Sequence, residues 1–415
     1  MSRRTTFAVV LAVVLAVAAC GPRFEDDGSG GLADEPGAGG SDTAQPAPET
    51  PTGPGPAPGV TDTTIKIGYL LPLTGAAPIP SRFDKGVNAY WNYVNDQGGI
   101  DGREVEVVVE DTQSQAEVGK DKAKKLIEDD EVFAIVVLDR LENQEAIGQY
   151  LNDREVPNLA IQSPADLPAD QIWTFAVTID HRVQGELVAE YFANDLDAEK
   201  VAIVYENTPA LAPGQEAFEG AADELDVDVA YSKAIDPAAS EFSSEALALS
   251  ESDADAVWLY MAPTTAAKLA NQADATGFHP TWFANSISWA FDLVFAIGPD
   301  SLEGARAFSP WLPLSDSRTE TYQEQYRLQN PGETPDDLGI VGWGVGQIVA
   351  EGLRQAGPEL GQNSFREALQ ALQFEPDTWV PLEFDDAVRN GANRVAVLRE
   401  EDGRWVVDQD FTEDF

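Results

Sequence analysis

Ile65-Lys66-Ile67-Gly68-Tyr69-Leu70-Leu71-Pro72-Leu73-Thr74-Gly75 is the stretch that decides the fold. Its first seven residues are mostly apolar and stop at Pro72, as a buried strand does, and Leu73-Thr74-Gly75 then makes a loop. Phe83, Val87, Tyr90, Trp91 and Val94 follow at helical spacing, and Gly98-Gly99 ends that helix. Outward from this unit the rhythm repeats. Strands are expected at 105–109, 133–138 and 157–161, and helices at 118–127 and 145–152. Beyond them come strands at 201–205, 227–231, 256–260 and 282–283. Helices are expected at 215–225, 242–249, 264–276, 319–329 and 341–356, and residues 379–407 read as β-rich. Strands that alternate with helices predict mostly parallel sheets covered on both faces. The number of elements suits two α/β lobes.

The N-terminus is of different material. Arg3 and Arg4 precede an apolar run over 7–17, and the small residues Ala18 and Ala19 lead into Cys20. That order is an export signal, and the run is shorter than the roughly 20 apolar residues of a comfortable membrane span. Val17-Ala18-Ala19-Cys20 resembles a bacterial lipobox, which implies cleavage before Cys20 and lipid on the new N-terminal residue. The other reading is an ordinary signal peptide with an incidental cysteine, but the chain has no second cysteine. Residues 21–59 are nearly all Gly, Pro, Ala, Ser, Thr and acids, too poor in apolar bulk to order themselves. The expected division is signal peptide 1–19, lipid-anchored linker 20–61 and a folded body beyond, held on the outer face of the cytoplasmic membrane.

Composition narrows the function. A single cysteine forbids an intramolecular disulfide and a cysteine metal cluster. Lys and Arg total 26 against 72 Asp and Glu, a net charge of −46. Nucleic-acid binding needs clustered cations to displace counterions, and none are clustered here. His181 and His279 are far apart and expected in surface or capping roles, and no nucleophile elbow or phosphate-binding loop is present. The acid runs 128–131 and 253–255 read as solvated turns. No metal, cofactor or catalytic residue is expected.

Three features together resemble the type I periplasmic binding proteins, in particular the branched-chain amino-acid-binding, leucine-binding-like group of ABC-transporter substrate-binding lipoproteins. They are the strand-Pro-Leu-Thr-Gly opening, Gly86-Val87-Asn88-Ala89-Tyr90 with Asn95 through Arg103, and Glu110-Asp111-Thr112. Residues 150–160 and 275–286 continue the likeness. The resemblance implies two doubly wound parallel-sheet lobes joined by a three-crossover hinge. Lobe 1 would hold 62–178 and 310–376, and lobe 2 would hold 179–309 and 377–415. The crossings would fall near 177–180, 308–311 and 375–379. It also implies a monomer that binds a small molecule and passes it to an ABC importer permease.

Ligands of open parallel sheets sit beyond the carboxyl ends of the strands, so the resemblance directs attention to the loops there. Thr74 and Gly75 can offer a hydroxyl and N–H groups. Asp139, Arg140 and Glu142 stand where relatives carry small hydroxyl residues. Arg140 could clamp a carboxylate, or pair with Asp139 or Glu142 and only shape the site. Ala165 and Asp166 fall in a second carboxylate-binding segment, where an aspartate would repel a carboxylate. Asn285 and Ser286 are neutral where relatives place an acid for the ammonium. Tyr205, Tyr260 and Trp289 are candidate aromatic walls, with Trp311 a further aromatic in a loop-like stretch. Both halves of an amino-acid handle thus look altered, which disfavours a common branched-chain amino acid. Besides an importer's receptor, the fold also suits a ligand-sensing lipoprotein acting on a membrane receptor, or an extracellular hydrolase.

Overall fold

The opening stretch forms β1 (Thr64–Leu71), and Ile65, Ile67, Tyr69, Leu70 and Leu71 are fully buried in it. A strand so buried on both faces belongs inside a sheet. It lies between β2 (Glu104–Asp111) and β3 (Ala134–Val137), parallel to both. With β4 (Asn158–Ala160) and β5 (Thr174–Ala176) the first sheet runs β2-β1-β3-β4-β5, all parallel. This computed structural model describes residues 57–75, 82–165, 167–237, 239, 241–284, 292–298, 300–385, 388–413 and 415. The signal, Cys20 and nearly all of the expected linker lie outside those residues.

Helices cover both faces of the first sheet. α1 (Phe83–Asp96) packs on one, and α2 (Ala116–Glu128) and α3 (Leu141–Asn152) on the other. The second sheet repeats the order with β6 (Lys200–Glu206), β7 (Asp228–Ile235), β8 (Ala256–Tyr260), β9 (Thr281–Ala284) and β10 (Arg306–Ser309), arranged β7-β6-β8-β9-β10. α4 (His181–Asn194) and α5 (Ala212–Glu224) cover one face. α6 (Ser243–Ser252) and α7 (Pro263–Asp274) cover the other. The chain then returns to the first lobe as α8 (Glu320–Gln329), α9 (Asp337–Ala356) and α10 (Gln362–Gln370), with α8 and α9 packed beside α1. The two-stranded β11 (Gln373–Phe374) and β12 (Leu382–Glu383) follow. β13 (Val395–Glu401) and β14 (Arg404–Thr412) close the second sheet antiparallel beyond β10.

Segments at the expected crossings of the two lobes touch one another. The Pro310 carbonyl accepts from Val380 N at 2.7 Å, and Leu312 N donates to Thr378 O at 3.0 Å. Trp379, fully buried, donates its indole N–H to Val177 O at 2.8 Å and lies 5.6 Å from the Trp311 ring. Trp311 is therefore hinge core, with about 1% exposure, and not a loop aromatic. The third crossing comes later than 375–379. Ala176 N donates to Arg389 O and Gly391 N to Ala176 O, so the chain stays on the first sheet's edge before entering β13.

A second tie between the lobes is polar. The Asp337 carboxylate, at the start of α9, accepts from Asp292 N at 2.8 Å, and Asp292 in turn accepts from Trp405 N at 3.0 Å. Burial, with the Asp292 charge added, pushes Asp337 up to about 8, and its Oδ1 has no hydrogen-bond partner.

α1 and α9 meet backbone to backbone. A Cβ at Gly86 would stand 1.8 Å from Gly339 O, and one at Gly342 would stand 2.4 Å from Phe83 O. Gly86→Ala gains about 1 kcal/mol in helix propensity but overpacks this crossing, which typically costs about 1–3 kcal/mol and more for backbone overlap. A net loss of stability is expected in urea unfolding; a gain would mean the helices separate freely. Asp337 makes a pH-dependent prediction. A carboxyl raised from 3.8 to about 8 contributes stability that is present below pH 4 and lost as pH rises through 8. The melting temperature of D337N should therefore climb relative to wild type between pH 5 and 8, and a constant difference would refute the buried, protonated state.

Candidate functional site at the facing sheet edges

The parallel strands of each sheet run the same way, and the carboxyl-end edges of the two sheets face each other. The direct proof is one ion pair. Arg140, just after β3, places Nη2 at 3.4 Å from Oε2 of Glu206, the last residue of β6. Glu206 keeps only 6% of its side chain exposed, and its Oε1 accepts from Ala262 N at 3.0 Å, where α7 begins beyond β8. The Arg140 side chain is 34% exposed and its Nε lies 3.9 Å from Glu142.

The other acids on the first edge are occupied. Asp111, at the end of β2, accepts from the Thr74 hydroxyl at 2.6 Å and from the N–H groups of Leu73, Thr74 and Gln113. Burial would raise its carboxyl, but these hydrogen bonds, led by Thr74, outweigh burial and hold it below the usual range. Gly75 follows with φ +104° and approaches so closely that a Cβ would sit 2.0 Å from Gln113 O, a position that only glycine takes without strain. Asp139, about 2% exposed, accepts from the Thr112 hydroxyl, from Arg140 N at 2.7 Å and from Asn143 Nδ2 at 2.9 Å. These bonds start α3 early: Leu141 and Glu142 are its first turn, not part of a loop running to 143. The Gln144 side chain pairs with both the N–H and the carbonyl of Gln162, and Gln162 Nε2 donates to Asp139 O at 2.6 Å. This amide ladder fixes the 162–165 segment, in which Ala165 is half-buried.

The structure thus brings Thr74, Gly75, Asp139, Arg140, Glu142 and Ala165 to one edge. Asp166, Asn285, Ser286 and Trp289 lie outside the described residues. Tyr205 is flanked by Ser232 of β7 and the α5 acids Glu216 and Glu219, a side placement that burial and those acids mark by raising its phenol. Tyr260 is fully buried, stacked on Trp258 at 4.4 Å and hydrogen-bonded to His181 Nδ1, so its surface is spent inside the second lobe. His181 corrects the surface or capping expectation: it is the first residue of α4, about 2% exposed, while the Asp180 carboxylate before it does the capping. Burial lowers its pKa to about 4, so the ring that meets Tyr260 is neutral. His279 is exposed beside Asp274. Two hollows lie off the edge: an acid-lined one along α5 and β7, and one of about 230 Å³ between α3 and the 164–174 segment. Neither is lined by Arg140 or Glu206. Glu206, Asp111 and Gln144 were not foreseen; for Glu206 the usable signal was an acid closing a strand that faces the cleft.

The family profile described as Periplasmic binding protein matches residues 64–404. The chain belongs to that family of periplasmic binding proteins. Among solved structures, a fatty acid ABC transporter substrate-binding protein from Thermomonospora curvata aligns with TM-score 0.75 and 22% identity, covering 88% of this chain and 96% of its own. A branched chain amino acid ABC transporter protein from Thermus thermophilus with bound valine gives 0.76 and 15%, with 85% and 97% covered. A solute binding protein from R. palustris in complex with benzoate gives 0.71 and 17%, with 83% and 96% covered. At these identities the likeness is one of fold. No curated protein matches the chain.

The buried histidine makes a testable prediction. A ring lowered from 6.5 to about 4 contributes stability present above pH 6.5 and lost as pH falls toward 4, about 3 kcal/mol in all. In urea unfolding, wild type should lose stability relative to H181Q across that window. Parallel pH profiles would show that His181 titrates normally.

Proposed function

We propose that the protein is a lipid-tethered receptor that captures a small solute between its lobes and delivers it to the permease of an ABC importer. The observation that carries this reading is the Arg140–Glu206 pair, which joins the carboxyl-end loops of two sheets in a chain of the periplasmic binding protein family. Charged and main-chain groups converge there from both lobes, as a cleft that closes on its ligand requires. Thr74, Gly75, Arg140, Glu142 and Ala165 line it on one side and Glu206 on the other. Cys20 carries the lipid, and the Gly/Pro-rich linker lets the body work off the membrane. The lobes are 62–178 with 310–391, and 179–309 with 392–415; the chain acts as a monomer without cofactor. The relatives with valine, benzoate and fatty acid in their names show that this fold accepts solutes of varied chemistry, and the altered handle here speaks against a simple branched-chain amino acid.

Affinity arises from the ligand favouring the closed state over the open one. A thermal-shift screen of residues 60–415 against metabolites tests the reading. A solute at about 100 times its Kd stabilises by about 2.7 kcal/mol, and X-ray scattering with that solute should show a smaller radius of gyration. Recovery of the solute intact is expected. Turnover would make the protein an enzyme, and an unchanged envelope would remove hinge closure.

A further inference from the structure

We propose that Glu206 is a resident anion of the cleft: its carboxylate fills the seat that a carboxylate-bearing solute would take, so the cleft selects a solute whose contacting group is neutral or cationic. This rests on the cleft being the solute site. The seat has the parts that hold a carboxylate ligand elsewhere: a main-chain N–H at the start of a helix, from Ala262, and a guanidinium on the opposite wall, from Arg140. Glu206 reaches both from a fixed base, since β6 is paired on each side by β7 and β8 up to its end. The distances differ, 3.0 Å to the amide and 3.4 Å to the guanidinium. Glu206 is thus held on its own lobe by the amide and meets the other lobe through Arg140.

Charge points the same way. Arg140 already faces two carboxylates, Glu206 and Glu142. An incoming carboxylate would have to displace Glu206 and leave a nearly buried acid without its cation, a costly state. A neutral polar solute leaves the pair intact, and a cationic one finds acids in excess. Asp139 and Asp111 do not compete, because their oxygens are spent on local donors.

Removing the resident anion should open the seat. E206A is expected to melt lower than wild type and to regain stability with acetate but not with chloride at equal ionic strength. Acetate at about ten times its dissociation constant should raise the melting temperature of E206A by roughly 2 °C. Wild type and the double variant E206A/R140A should show no acetate-specific rise. A folded E206A indifferent to acetate, or a wild type that responds equally, overturns the proposal. If E206A does not fold, E206S leaves the seat open and keeps a polar group at that position. Its affinity for acetate, by calorimetry, should exceed that of wild type at least tenfold, and equal affinities overturn the proposal. The receptor reading fails separately. A wild type that binds a carboxylate solute through Arg140 supports a receptor and sinks the resident anion. A wild type that binds no metabolite while E206A takes acetate does the reverse.

Discussion

A parallel sheet cannot leave a face to water, and the architecture of this protein follows from that constraint. Strands such as β1, β3 and β8 are apolar on both sides and need helices above and below. The connections that supply those helices also force every parallel strand to point the same way. The strand faces are then closed, and the polar ends of the chain's βα units collect at one edge. Here it happens twice, with the same strand order in both lobes. Two such edges turned toward each other make a cleft lined by loop residues, whatever those residues are. Near the hinge, Trp379 ties two of the crossings together, its indole N–H on Val177 O and its ring beside Trp311.

Within that frame, the chemistry of the edge depends on which polar groups are already satisfied. Asp111 and Asp139 are acids by sequence, but in the fold they behave as main-chain organisers. One shapes the turn from Leu73 to Gly75, and the other sets the start of α3 and thereby the direction of Arg140. A carboxylate that accepts several local N–H and O–H groups has little left to offer a ligand. What distinguishes Arg140 and Glu206 is that each meets its partner across the lobes.

How much of this was legible in the sequence depends on how local its cause is. β1, β3, β6 and β8 declare themselves as unbroken apolar runs, and the two-lobe α/β class follows from their alternation with helices. β5 and β10 have three and four residues, too few to stand out from loops. α4 was passed over because Leu187, Val188, Ala189, Tyr191 and Phe192 bury more than one side and blur the helical stripe. The early start of α3 hides in a polar run, Glu142-Asn143-Gln144, beside Asp139, whose bonds to Arg140 N and the Asn143 side chain need the folded loop. Tyr260 and His181, 79 residues apart, meet only because β8 ends beside the start of α4. The Arg140–Glu206 pair spans 66 residues and two lobes. In a chain with 72 acids only its place at the end of an apolar strand marks Glu206.

That excess of acids bears on how such a cleft can be selective at all. With 26 cations among 72 acids, an arginine placed at an open edge meets a carboxylate of its own protein before it meets one from solution. At a solvated surface such a partner matters little, because water and salt weaken the pair. At a closing interface the same partner is desolvated as the lobes approach, and the pair strengthens as water leaves. The identity of the arginine alone then says little about what the cleft binds. The deciding quantity is the difference between leaving the internal partner in place and stranding it, and that difference is set by the amide of Ala262, which keeps Glu206 where the lobes meet.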